Sequence, residues 1–156
     1  MNKCVAAAIL SMGILAAGCA PAAAPAAGQA DQVKKVFPIT GKGYEARQLS
    51  DVKPVPCLCG ESFRIFTIKD GPMTNIHVTH IMDSRKHYHK KCTEFYFILE
   101  GHGVLELGDD KVQLSPGLLV RIDPLTPHRG YGDFKTLIVG IPACEPDDEY
   151  LVKQEK

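Results

Sequence analysis

The stretch His87-Tyr88-His89-Lys90-Lys91-Cys92-Thr93-Glu94 decides how this chain is read. Side chains two apart on a strand point to the same face, so His87 and His89 can present their imidazoles together. Residues 90–93 are a polar break long enough to reverse the chain, and Glu94 opens the next apolar segment, where its carboxylate can return beside the pair. The pattern predicts one hairpin carrying three donor groups. A fourth donor, His128, follows Asp123-Pro124-Leu125-Thr126-Pro127, whose two prolines restrict the backbone in front of it. Three imidazoles and one carboxylate suit a borderline divalent transition metal: Fe, Mn, Ni or Zn. An octahedral ion would keep positions open for water, O₂ or a chelating ligand.

Outward from this stretch, short apolar runs alternate with turn chemistry, and none keeps a helical period for three turns. The runs predict strands over 63–69, 75–81, 94–99, 104–107, 111–114, 118–122 and 135–141. Asp70-Gly71-Pro72, Gly101-His102-Gly103, Gly108-Asp109-Asp110, Ser115-Pro116-Gly117 and Asp123-Pro124 read as reversals or interruptions. A closed or double-sheet all-β fold follows, because closure removes exposed edges and encloses a pocket. Residues 143–156 are charged and read as a short helix or a packed tail.

His87-x-His89-x₄-Glu94-x₆-Gly101 resembles the first cupin motif at every ligand position and at its closing glycine. The segment from Gly117 through Asp123-Pro124-Leu125-Thr126-Pro127-His128 resembles the second motif less fully. Asp123 stands where Pro is usual, Leu125 where Gly is usual, and Gly132 where Asn often lies. The resemblance covers about residues 62–141 and implies a double-stranded β-helix, or jelly-roll barrel, with one metal held by His87, His89, Glu94 and His128. Glu94 argues against the thiol dioxygenases, which resemble cupins but lack this carboxylate ligand. At family level the resemblance also implies a homodimer through exposed sheet surfaces.

Tyr96 and Ile98 share the parity of Glu94 and are expected to line the pocket below the metal, with Tyr96 a candidate proton donor or ligand contact, or else barrel packing. Phe95, Phe97 and Leu99 then face the other way, into sheet packing or a subunit contact. His77, His80 and His102 read as solvated or hydrogen-bonded side chains outside the site. Cys57, Cys59, Cys92 and Cys144 form an even set, for which three complete pairings exist. The pair in Pro56-Cys57-Leu58-Cys59-Gly60 reads as structural or unpaired thiols in preference to a redox or soft-metal site.

The N-terminus has a different character. Residues 1–19 combine a basic start at Lys3, an uncharged stretch and small residues leading to Cys19, which is an export signal and not a core element. The run is too short to span a bilayer comfortably, since about 20 apolar residues are needed. Leu15-Ala16-Ala17-Gly18-Cys19 resembles the lipobox of bacterial lipoproteins, with Ala16 a mild departure from the commoner Leu. That resemblance implies cleavage after Gly18, acyl chains on Cys19, and a mature protein anchored to a bacterial cell-envelope membrane. The alternative is an ordinary signal peptide cut near Ala20 or Ala24. Between Ala20 and Ala30 lie seven Ala, two Pro, one Gly and one Gln, a spacer without the apolar bulk to fold. The expected organisation is a signal over 1–18, a lipidated Cys19 and linker over 19–32, and a cupin domain over 33–156.

The whole chain has 156 residues, enough for one ordinary domain. Eighteen basic residues balance eighteen acidic ones, so no broad positive field invites nucleic acid. The expected function is a membrane-tethered metalloprotein binding a small polar organic ligand, as a metal-dependent oxygenase or isomerase. The alternative is a non-catalytic module that binds or senses a carbohydrate-like molecule.

Overall fold

The computed structural model describes residues 37–153; the leader, Cys19 and the Ala/Pro-rich spacer lie outside the described residues. Strands β1 (Ile39–Gly41) and β2 (Tyr44–Ala46) pair as a separate small sheet. The other nine are β3 (Val55–Cys57), β4 (Gly60–Phe66), β5 (Asn75–Asp83), β6 (His87–Tyr88), β7 (Thr93–Leu107), β8 (Asp110–Leu114), β9 (Leu119–Ile122), β10 (His128–Ile141) and β11 (Tyr150–Leu151). They form one sheet in which every pairing is antiparallel. β10 is its spine: β5 and β6 follow each other along one side, β7 runs along the other, and β8 and β9 continue beyond β7.

Alternation along these strands builds the interior. Glu94, Tyr96 and Ile98 of β7 and Phe134, Thr136 and Ile138 of β10 are buried, whereas Phe97 and Leu99 are exposed on the other face. Ile81, Leu105, Leu114, Val120 and Ile122 complete an apolar cluster around Tyr96, Ile98, Phe134 and Ile138. Full burial of one such side chain is worth about 1.5–3 kcal/mol, and the cluster lies on the strands that carry the site.

Three readings of the sequence need correction. Gly101-His102-Gly103 does not reverse the chain; β7 runs through it as one 15-residue strand. Gly101 has φ +82, and a Cβ there would collide with the Asp133 carbonyl of β10, so this glycine allows two backbones to approach. Next, β6 and β7 do not pair with each other as a hairpin, because β10 lies between them. Last, the tail adds β11 against β6, and no helix forms in its described part. The strand predicted at 63–69 lies at Gly60–Phe66, and β10 begins seven residues before the predicted 135.

Candidate metal centre

β10 brings the donors together. His128, its first residue, stands directly opposite His87 of β6, and their ring centroids are 4.3 Å apart. His89 follows β6, with its ring 5.4 Å from His87 and 5.8 Å from His128. Glu94 comes from the start of β7: its Oε2 lies 3.4 Å from His89 Nε2 and 3.2 Å from His128 Nε2. All four residues are buried, and one donor atom from each lies within 4.8 Å of the others.

Main-chain contacts orient the rings. His87 Nδ1 lies 2.8 Å from the Arg85 carbonyl, His89 Nδ1 2.5 Å from that of Asp148, and His128 Nδ1 3.0 Å from that of Thr126. A carbonyl only accepts, so each Nδ1 donates its hydrogen and each Nε2 is left with a lone pair for the centre. Glu94 Oε2 and His128 Nε2 are fully enclosed and have no hydrogen-bond partner. Leaving such an atom unsatisfied costs about 1–3 kcal/mol, and a cation would satisfy both.

His87 and Glu94 carry the charges this donor set needs, and His89, which holds a proton more readily, must release it to join them. Burial, with the neighbouring His128 adding to it, lowers the His87 pKa to about 4, so that ring is neutral at neutral pH as ligation requires. Burial would raise the Glu94 carboxyl, but the facing His128 and His89 rings hold it well below the usual carboxylate range. Burial alone would lower His89, and the Glu94 carboxylate reverses the direction.

The remaining surroundings come from segments far away in the chain. Asp148 is buried, and its carboxylate accepts the backbone N–H groups of Lys90 (3.0 Å), Lys91 (3.0 Å) and Cys92 (3.2 Å). A disulfide between Cys92 and Cys144 ties the same two segments together, which resolves one pair of the cysteine set; Cys57 and Cys59 are free. A cavity of about 250 Å³ opens beside the quartet, with Arg64, His77, Thr79, Tyr96 and Glu149 in its wall. Burial lowers the His77 pKa to about 4, and Asn75 Nδ2 lies 3.4 Å from its Nδ1. Its place in the cavity is not legible in the sequence, because it is set by the register of β5 against β4, which puts His77 opposite Arg64. His80 faces Asp133 at 2.7 Å, and His102 is exposed. Tyr96 stands in the cavity wall, where burial and then the Glu94 charge push its phenol well up; Ile98 is wholly buried in the apolar cluster.

An antiparallel β-barrel with a buried three-histidine, one-carboxylate centre defines the class, and residues 78–136 match the family model described as "Cupin domain". The fold is that of the cupins, and the matched segment lies within the described barrel. The chain is 31% identical over 71 residues to an uncharacterized protein of Methanocaldococcus jannaschii, a match covering 43% of this chain and 57% of that protein's length. A crystal structure of a protein from Planctomyces limnophilus superposes with a TM-score of 0.64 at 31% identity, covering 68% of this chain and 95% of that one. Two more distant structures share the fold. A Streptomyces protein, a nucleoside dehydratase solved with uridine, has a TM-score of 0.61 at 14% identity over 70% of this chain and 91% of its own. Ectoine synthase from P. lautus has a TM-score of 0.58 at 16% identity over 71% and 91%.

Proposed function

We propose that the chain binds one divalent transition metal through His87, His89, Glu94 and His128, and holds a small polar organic molecule against it in the adjoining cavity, as a metal-dependent oxygenase or isomerase. The observation that carries this reading is the convergence of three lone-pair-bearing Nε2 atoms and a buried carboxylate that the protein itself leaves unsatisfied. Fe, Mn, Ni or Zn fits the donor set; such an ion supplies Lewis acidity toward a chelating oxygen or a small molecule. The chain's own part is to bind and orient the ligand: Arg64 and the neutral His77 offer polar handles opposite one another, and the Tyr96 phenol retains its proton in the wall. The relatives' chemistry, uridine in one and ectoine synthesis in another, supports a small polar ligand.

The test combines metal analysis with turnover. The purified full-length chain should hold close to one equivalent of metal, and His87→Ala and His128→Ala should each lose most of it. Undiminished binding in both rejects the site. Incubation with O₂ and a panel of sugars, hydroxy acids and diketones should yield a metal-dependent product; saturable binding of an unchanged compound instead assigns the chain to the non-catalytic binding class.

We further propose that Cys19 carries lipid and tethers the domain to a cell-envelope membrane, a reading supported by the sequence of residues 1–19. Labelled fatty acid should enter the wild-type chain and not Cys19→Ala. Self-association through the exposed face of β7 and β9 is the third part of the proposal.

A further inference from the structure

Beside the quartet, on the cavity side of His87, lie two donors that the cupin motifs do not contain. Cys59, in the turn between β3 and β4, is buried, and its Sγ is 4.0 Å from His87 Nε2. Glu149, in the tail before β11, places Oε1 3.7 Å from the same nitrogen. One donor atom each from Cys59, His87 and Glu149 lies within 4.8 Å of the others. Both newcomers line the cavity that serves the quartet. His87 Nδ1 is already committed to the Arg85 carbonyl, so the lone pair of Nε2 is what these groups surround.

We propose that Cys59, His87 and Glu149 form a second metal position, built on the quartet's own His87 and selective for thiophilic ions. Because His87 Nε2 has one lone pair, the two positions exclude each other, and a single ion sits either among three nitrogens and an oxygen or on one sulfur, one nitrogen and one oxygen. The sulfur seat favours Zn²⁺, Cd²⁺ or Cu⁺ over Mn²⁺, since soft thiolate prefers soft or borderline cations. Occupying it forms a metal–sulfur bond in place of the S–H bond, and the proton leaves through the open cavity to water. Glu149 neutralises part of the ion's charge and stands on the solvent side, where an arriving ion meets it first. The inference rests on His87 as a ligand and is independent of His89, Glu94 and His128.

The test uses Cd²⁺ alone on the full-length chain with Cys57 and Cys59 reduced. The wild type should develop an ultraviolet sulfur-to-cadmium charge-transfer band and a cadmium NMR resonance at the low field of a thiolate ligand. Cys59→Ser and His87→Ala should abolish the band and weaken Cd²⁺ binding at this position at least tenfold, whereas Cys57→Ser should keep both. The double variant His89→Ala/Glu94→Gln, which disables the quartet, should retain the band; this arm separates failure of the quartet from failure of the sulfur seat. A wild-type resonance in the field range of purely nitrogen and oxygen ligands overturns the proposal without relying on any variant. Persistence of the band in Cys59→Ser, or its loss in the quartet double variant, overturns it equally.

Discussion

At the scale of single residues, the centre depends on groups that never touch a metal. His89 is aimed by the Asp148 carbonyl, while the Asp148 carboxylate gathers the amides of the loop that follows His89. Burial would raise this carboxyl, yet the amides of Lys91, Lys90 and Cys92 lower it, so it stays ionised and accepts all three. Asp148→Asn keeps the shape but replaces one acceptor oxygen with a donor facing those N–H groups. Loss of a charge-assisted bond of this kind costs about 1.5–3 kcal/mol. Disturbing a ligand's supporting partner typically weakens metal binding about 10–100-fold. The expected result for Asp148→Asn is a folded protein with lower Tm and metal affinity reduced within that range, measured by chelator competition. Unaltered affinity would show that the Asp148 carbonyl aims His89 without help from the Asp148 carboxylate.

At the scale of elements, the turn from Asp123 to Pro127 joins two ligands. The Leu125 N–H donates to the His89 carbonyl at 2.6 Å, so the loop in front of His128 is fastened to the residue that carries the second histidine. Leu125 has φ +68, the one non-glycine residue with positive φ among the described residues, and its side chain is 64% exposed. The left-handed region costs a branched side chain about 1 kcal/mol, which explains why glycine is usual at this place in the motif. Leu125→Gly relieves that strain and loses little packing, though the unfolded chain gains freedom. A net stabilisation of about 0.5 kcal/mol is expected in urea unfolding, with metal content unchanged. The same motif comparison marked Gly132, whose φ of +125 is open essentially to glycine alone and whose Cβ would press on Gly103. The four donors were legible in the sequence because strand parity and a proline-bounded turn are local signals. The hairpin was misread because the chain-neighbour of β7 is not its sheet-neighbour: β10, arriving from 34 residues beyond Glu94, takes the place between β6 and β7. Cys59, His77, Asp148 and Glu149 were illegible as site residues for a related reason. Their approach depends on how β4, β5 and the tail converge, and no short spacing records it.

At the scale of the whole molecule, the outer face of β7 is where the proposed self-association is tested. Phe97 pairs across the sheet with Leu119 of β9 on one side and Leu137 of β10 on the other, forming an apolar row with Phe97 39% and Leu119 60% exposed. Leu99 and Ile141 extend the exposed apolar surface on the same two long strands. Water contact along such a row is unfavourable by about 25 cal/mol per Å², and a second copy presenting the same row would bury both at once through a two-fold contact. A stable contact of this type needs about 800 Å² from each partner. Leu119→Asp introduces a charge in the middle of the row without entering the barrel, because Leu119 points outward on a strand whose alternate residues, Val120 and Ile122, form the core. Sedimentation equilibrium should therefore find the wild type dimeric at micromolar concentration and Leu119→Asp shifted toward monomer, with metal content intact. A monomeric wild type would leave the row as an apolar surface of the single copy, and a variant that loses metal would show that the outer face and the centre are coupled through β7.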